Sequence, residues 1–487
     1  MSANDSSAAL HALNRARSWH WAAELCRQPR CVWQLERSKL FVAQAEGAPF
    51  LLPECPMGRP SLKAGLQAVL SVLIALCLWA GYVIRRRAGH GQTALGRDAK
   101  RVIALLGEVA TRTRHLLQAM SSNAIPVSAV ILLGRLQVSR QKVLDLWAGH
   151  VDWAIPPGLP LLQPMSPRAC MMVLHDLPRL MARGIATAAR AQTRIGIREE
   201  VAIAFRVLLG TTAARWWERH GTDCEVLFGH TGTADTTLLE NAIRRSGGRT
   251  VHLVHGQAIG PNFLGFSDLA LFRSRYDAEA YARLGCYGRC DIQIAAPPEP
   301  RRGSSGVLLL SNLAHPMNAG FRRRGLHDEL ALLEVTAAAA RGMGRVAEPL
   351  TWKPHPSLAT LSEDVQAELR GRAREMGFVE LPAGTPVDKA ATQCRWVVTS
   401  PSTVALDLLQ AGILAILLDP QCTALDTAVA ALPIATATPE GLRTRLCEID
   451  RDDRYASLFR TTFDRIGPAR ALDLQHELTG ASPCCLS

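Results

Sequence analysis

The thirteen residues RWVVTSPSTVALD, 395–407, decide how this chain is read. Trp396–Val398 is an apolar run with the look of a buried strand. The small hydroxyl residues Thr399, Ser400, Ser402 and Thr403 follow it, and a helix is predicted over Thr403–Ala411. In open α/β sheets ligands sit outside the carboxyl ends of strands. Small side chains there let an anion approach a helix start, where unpaired N–H groups and the dipole favour negative charge. Asp407 falls four residues after Thr403, on the same helix face. Its carboxylate is placed to accept hydrogen bonds from a ribose diol. An ordinary serine N-cap is the alternative reading of the same residues.

Outward from this corner the chain alternates strands and helices. Towards the C-terminus lie the strand Ile413–Leu418 and a helical tail from Pro439. Towards the N-terminus lie the strand Gly306–Leu310, a helix over Leu326–Gly342 and the strand Glu348–Lys353. Then come a helix over Ser362–Met376, a short strand Phe378–Leu381 and a helix over Pro386–Gln393. Residues 297–305 (PPEPRRGSS) have linker composition. Before the linker a second alternation is predicted. A buried strand at Ile125–Leu136 precedes helices over Arg168–Gln192 and Ile197–His220. Strands follow at Cys224–Gly229, Arg249–His255, Leu269–Arg273 and Asp291–Ala295, with helices over Thr236–Ser246 and Asp277–Leu284. Strands alternating with helices imply parallel sheets with right-handed crossovers. The fold class is therefore α/β, with two doubly wound domains, 95–296 and 306–487, facing a cleft.

Other predicted strand ends carry polar residues. WKPHP, 352–356, ends the strand at 348–353. Lys353 and His355 offer donors to a phosphate there, and the prolines stiffen the loop. In VHLVHGQ, 251–257, His255 stands where an acceptor would meet a donor, and Gly256 permits close backbone approach. A histidine titrating near neutral pH can take a proton from an attacking hydroxyl. A packed histidine in a turn is the competing reading of each. Ser311, Asn312 and His315, and the loop Gly229-His230-Thr231-Gly232, are weaker sets that also fit plain turns.

Composition bounds the function. At 487 residues the chain has room for two or three domains. Its 48% hydrophobic and 20% charged residues exclude a wholly disordered chain. A net charge of +12 suits anionic partners, but no Lys/Arg-dense arm appears, so nucleic acid is not expected. Thirteen scattered cysteines make no disulfide framework, and the lone pair Cys286 and Cys290 makes no zinc site. Asp450-Arg451-Asp452 reads as a helix start or a solvated turn, not a metal-binding acid pair. The terminal CCLS fits the prenylation pattern formally, without a polybasic run before it. There is no G-x-x-x-x-G-K-[ST] loop, no G-x-S-x-G elbow and no H-E-x-x-H.

Residues 64–84 (AGLQAVLSVLIALCLWAGYVI) form an uncharged stretch long enough to cross a bilayer, with a buried core helix as the competing reading because Gln67, Ser71 and two glycines dilute it. More arginines and lysines follow it than precede it, which places the C-terminal bulk in the cytoplasm. The N-terminal region 1–60 would then be translocated with its own arginines, a difficulty that a helix lying in the interface avoids. Within 1–60, Ala8–Cys26 reads as helical and Cys31–Leu52 as a strand pair.

The order strand, KPHP, helix, strand, PVD helix, strand, TSPSTVALD, helix, strand over 306–419 resembles the nucleotide-binding half of a GT-B glycosyltransferase. It is most similar to capsule and surface-polysaccharide synthesis proteins and to teichoic-type glycerophosphotransferases. Val254-His255-Gly256 is similar to the His-Gly of their first domain. The resemblance implies an enzyme that takes a nucleotide sugar as donor and a polysaccharide or lipid-linked acceptor. No cofactor or metal is expected, since charge on the leaving group can be stabilised without one, and the apolar stretch with its flanking charges places the chain at the inner (cytoplasmic) membrane. His355, Ser402 and Thr403 would hold donor phosphates, with Lys353, Ser400, Ser311 and Asn312 around them. Asp407 would hold the ribose and His255 would be the base. Asp407 stands where many such sequences have glutamate, and no acid near His255 matches a catalytic position. A CDP-glycerol-type glycerophosphotransferase, a sugar-nucleotide 2-epimerase and an inactive scaffold of the same fold are the alternatives.

Overall fold

The computed structural model describes residues 60–87, 95, 99–106, 127–133, 160–190, 196–221, 223–229, 231, 233–254, 267–275, 278–279, 282, 288–292, 296–311, 326–343, 349–355, 358–359, 361–382, 384–400, 402–420 and 432–468. The expected elements of residues 1–59 and the terminal CCLS lie outside this set.

Helix α1 (Leu62–Arg87) precedes strands β1 (Arg101–Leu106), β2 (Ala129–Leu133) and β3 (Leu161–Leu162). Two 24-residue helices follow, α2 (Pro167–Arg190) and α3 (Ile197–His220). The domain closes with β4 (Glu225–Phe228), α4 (Ala234–Arg245), β5 (Arg249–Leu253), β6 (Leu269–Leu271) and β7 (Arg289–Asp291). The seven strands pair in the order β3-β2-β1-β4-β5-β6-β7, all parallel. Strands such as AVILL (β2) and EVLF (β4) are near-continuous apolar runs because helices cover both faces of a parallel sheet. α3 is buried on nearly every side because it is sandwiched. Trp216 and Trp217 pack towards the sheet core, while Ile203, Phe205 and Leu208 pack against α1 and α2.

The second domain runs β8 (Ser305–Leu310), α5 (Leu326–Gly342), β9 (Leu350–Lys353), α6 (Glu363–Glu375), β10 (Phe378–Glu380), α7 (Val387–Gln393) and β11 (Cys394–Thr399). It continues with α8 (Val404–Gln410), β12 (Ala415–Leu418), β13 (Ala435–Thr436), α9 (Pro439–Glu448) and α10 (Asp452–Ile466). Its six parallel strands pair in the order β10-β9-β8-β11-β12-β13. That is the doubly wound order 3-2-1-4-5-6, with its switch point between β8 and β11. One core cluster lies under α5, α6, α9 and α10, and a second under α7 and α8. The expected α/β class with two doubly wound domains is present.

Differences from the sequence reading are local. Strand β1 (RVIALL) and the two-residue strands β3 and β13 add to the predicted set. β7 spans Arg289–Asp291, so the strand expected over Asp291–Ala295 sits earlier. Of the helix expected over Asp277–Leu284, most residues lie outside the described set. Asp450–Asp452 opens α10 as expected, and Arg395 holds Asp450 at 2.5 Å.

The linker is fastened to the second domain. Arg301 donates its amide to Gly412 O at 2.8 Å, and Arg302 donates to the carbonyls of Ile449 and Asp450 at 2.5 and 2.8 Å. Tyr455 OH donates to Arg301 O at 2.7 Å. The linker is therefore held to the second domain from Arg301 onward. Gly412 has φ +81°, and a Cβ there would lie 2.5 Å from Glu299 O. Gly412→Ala is expected to destabilise the fold by about 2 kcal/mol or more, through the left-handed backbone and this clash. A lowered midpoint of chemical denaturation checks it.

Candidate active site

Because every strand of the second sheet is parallel, their carboxyl ends form one edge. Register brings Leu310, Lys353 and Thr399 level with one another. At about 4.8 Å between strands, Lys353 and Thr399 stand about 10 Å apart across β8. The KPHP and TSPST loops thus leave the sheet at the same height, on either side of the switch point.

At the end of β11, Thr399 and Ser400 are fully buried. Thr399 Oγ1 donates to Ser400 O at 2.9 Å, and Ser400 Oγ meets no partner among the described residues. Pro401 lies outside the described residues. Ser402 accepts from the Val404 amide through its Oγ at 3.2 Å, so it is a side-chain cap of α8. The amides of Ala405 and Leu406 donate to Ser402 O and Thr403 O at 3.2 and 3.0 Å. The first turn of this seven-residue helix therefore spends its amides internally, and the expectation of a row of open N–H groups is corrected. Ser402 and Thr403 are both partly exposed.

Lys353 is 8% exposed at the end of β9, and burial pushes its pKa below the ordinary lysine value. Two residues on, burial also lowers the pKa of His355. From an ordinary value of about 6.5 a downward shift leaves the imidazole neutral at pH 7, a hydrogen-bond donor without a charge. Ser311, at the end of β8, is committed to the interior. Its hydroxyl accepts from Trp352 Nε1 at 2.6 Å and donates to the buried carboxylate of Glu329. Asn312 and His315 lie outside the described residues.

In the first domain, Leu253 at the end of β5 pairs with Leu271 at the end of β6. His255, Gly256 and Gln257 lie outside the described residues, as do His230 and Gly232. Thr231 is buried, with Oγ1 3.0 Å from His252 Nδ1.

Sequence reasoning missed Arg273, two residues beyond β6. Its Nη2 donates to Asp407 Oδ1, so the first domain reaches the first turn of α8. The Arg273 side chain is only 15% exposed, and its Nη1 is buried without a partner among the described residues. Asp407, expected as the ribose acceptor, is therefore already half of an ion pair across the cleft. Beside it the chain returns from the second domain. Arg275 donates its amide to Gly467 O at 2.8 Å, and Ser274 bridges antiparallel to Pro468. Gly467, at φ +58°, ends α10, and a Cβ there would lie 2.6 Å from Arg275 Cβ. The two domains touch by backbone at this point. The predicted strand Leu269–Arg273 puts Arg273 at a carboxyl end, a signal that was passed over, and the pairing of Ser274 and Arg275 with Pro468 and Gly467 brings that strand end against the second domain.

Among the described residues no group of three or more His, Cys, Asp or Glu side chains is placed to hold a metal ion.

No protein-family model matches the chain, and no curated protein matches it. Solved structures similar to it include the S. aureus MnaA–UDP co-structure, at 11% identity and a TM-score of 0.44, covering 78% of this chain and 97% of that one. MurG of Acinetobacter baumannii is similar at 12% identity and a TM-score of 0.42, over 78% and 98% of the two chains. The calicheamicin glycosyltransferase CalG4 is similar at 12% identity and a TM-score of 0.41, over 79% and 100%. At these values, what those proteins bind or do stays with them.

Proposed function

We propose that this chain is a glycosyltransferase that moves a sugar from a nucleotide-activated donor to a surface-polysaccharide or glycolipid acceptor. Its place is the inner (cytoplasmic) membrane, with the catalytic part in the cytoplasm. One observation carries the reading. The switch point of the doubly wound second sheet is flanked at one height by Lys353–His355 and Ser400–Thr403, and a first-domain arginine reaches the same corner.

In this reading the donor diphosphate lies across the carboxyl ends of β8 and β11. Ser402 and Thr403 donate to it, His355 donates an N–H, and Lys353 supplies positive charge. Asn312 and Ser400 are assigned to donor binding with them, and Ser311 shapes the corner through Trp352. Asp407 faces the ribose and shares its carboxylate with Arg273. An acceptor hydroxyl oxygen forms the new bond to the anomeric carbon as the bond to the phosphate oxygen breaks. His255 takes the hydroxyl proton, and the departing phosphate is stabilised by these donors without a metal. Closure of the cleft excludes water.

Calorimetric titration with UDP, CDP, GDP and CMP tests the reading. One nucleotide is expected to bind, with binding lost when His355→Ala and Ser402→Ala are combined. A phosphate beside a neutral His355 raises its pKa, so binding takes up a proton. Affinity is therefore expected to rise as pH falls from about 7.5 to about 5.5, and this slope is expected to vanish in His355→Ala. Silence from all four nucleotides with a folded protein would turn the assignment to an inactive scaffold. With a bound nucleotide, product analysis separates the other rivals: an epimerised donor, or transfer of glycerol phosphate, displaces glycosyl transfer.

A further inference from the structure

Helix α1 has two opposite apolar faces. Ala68, Val72, Ala75, Trp79 and Val83 face inward against α2 and α3, and the Trp79 indole donates to Thr212 Oγ1 at 3.0 Å. On the other side Leu62, Leu66, Leu70, Leu73, Leu78 and Ile84 are between 46 and 80% exposed. At about 100° per residue the two sets are centred on opposite sides of the helix. By length and hydropathy alone, Leu62–Ile84 passes for a membrane span. Its packing argues against that role. To cross, α1 would have to leave its seat, baring Trp79 and the apolar face of α3. Otherwise it would carry its neighbours along, and α2 and α3 hold exposed Arg168, Arg179, Arg183, Arg190 and Arg198. Ionisable side chains are expensive in hydrocarbon.

We propose that α1 lies in the plane of an anionic phospholipid bilayer, its leucine face sunk to the headgroup–acyl boundary and its inner face kept in the protein core. Charge complementarity selects this occupant. α1 and α2 together hold eight lysines and arginines, and their only acid, Asp176, is paired with Arg215 at 2.5 Å. Around α2 the arginines 168, 179, 183 and 190 fall within a sector of about 60°, beside the exposed Met171 and Leu174. An apolar stripe flanked by cations is the pattern of interfacial attachment. This inference rests on the membrane location proposed above and is independent of the donor chemistry.

The test is flotation of the full chain with phosphatidylcholine vesicles, with and without phosphatidylglycerol, together with alkaline carbonate extraction of membranes from producing cells. We expect flotation with the anionic vesicles, loss of most binding in high salt, and release by carbonate. Leu66→Glu with Leu70→Glu is expected to cut flotation at least about ten-fold at an unchanged melting temperature. Should that pair fail to fold, Arg179→Gln with Arg183→Gln is expected to remove the preference for phosphatidylglycerol. Carbonate resistance would overturn the in-plane seat and leave the membrane location standing. No flotation with either vesicle would overturn both. Self-association broken by the leucine substitutions would assign the face to a second copy, and undiminished flotation of both variants would place attachment elsewhere.

Discussion

Arg273→Ala is expected to weaken binding of the cognate nucleoside diphosphate by about ten- to a hundred-fold, the range of a charge-assisted hydrogen bond. In the structure this guanidinium spends one arm on Asp407, and its buried Nη1 meets no partner among the described residues. A buried charged donor without an acceptor is costly, and an anion at the corner relieves it. Asp407→Asn separates this role from a purely structural one. It removes the carboxylate partner but leaves the guanidinium, so diphosphate affinity should hold or rise while contacts to the ribose weaken. Titrating inorganic pyrophosphate alongside the nucleotide isolates the phosphate contribution. If Arg273 only clips the domains together, Arg273→Ala and Asp407→Asn will lower the melting temperature alike and leave pyrophosphate affinity unchanged.

His255→Ala is expected to leave nucleotide affinity within about two-fold while lowering transfer by about 10²- to 10⁴-fold, the usual contribution of a positioned general base. The residue follows Val254, whose amide donates to Leu271 O at 2.9 Å, so the backbone is held in the sheet up to the position before it. His255 and Arg273 each stand two residues past paired strand ends, Leu253 and Leu271. Retained turnover with a donor–acceptor pair, followed by release of the free nucleotide, would remove His255 from the chemistry.

The second domain was almost fully legible in the sequence. β8, β11 and β12 are built on short apolar runs bounded by polar or Pro-rich turns, because both faces of a parallel sheet are covered. The first domain was less so. RVIALL at β1 is a six-residue apolar run that periodicity cannot assign by itself, and a two-residue strand such as β3 has no pattern to read. Within the site, the strand-end positions of Lys353, His355 and Ser400–Thr403 were legible. The capping role of Ser402, the inward commitment of Ser311 to Trp352 and Glu329, and the engagement of Asp407 were not.

The sequence by itself determined the α/β class, the two-domain division and the polar corners at the strand ends. Those follow from local hydrophobic pattern and turn chemistry, which act between residues near one another in the chain. The tertiary structure alone decided which corners share a sheet edge, that Arg273 meets Asp407 across 134 positions, and which face of Leu62–Arg87 is already occupied. Strand order and helix seating are set by contacts between distant segments, and a stretch of leucines reads the same whether its partner is protein or lipid.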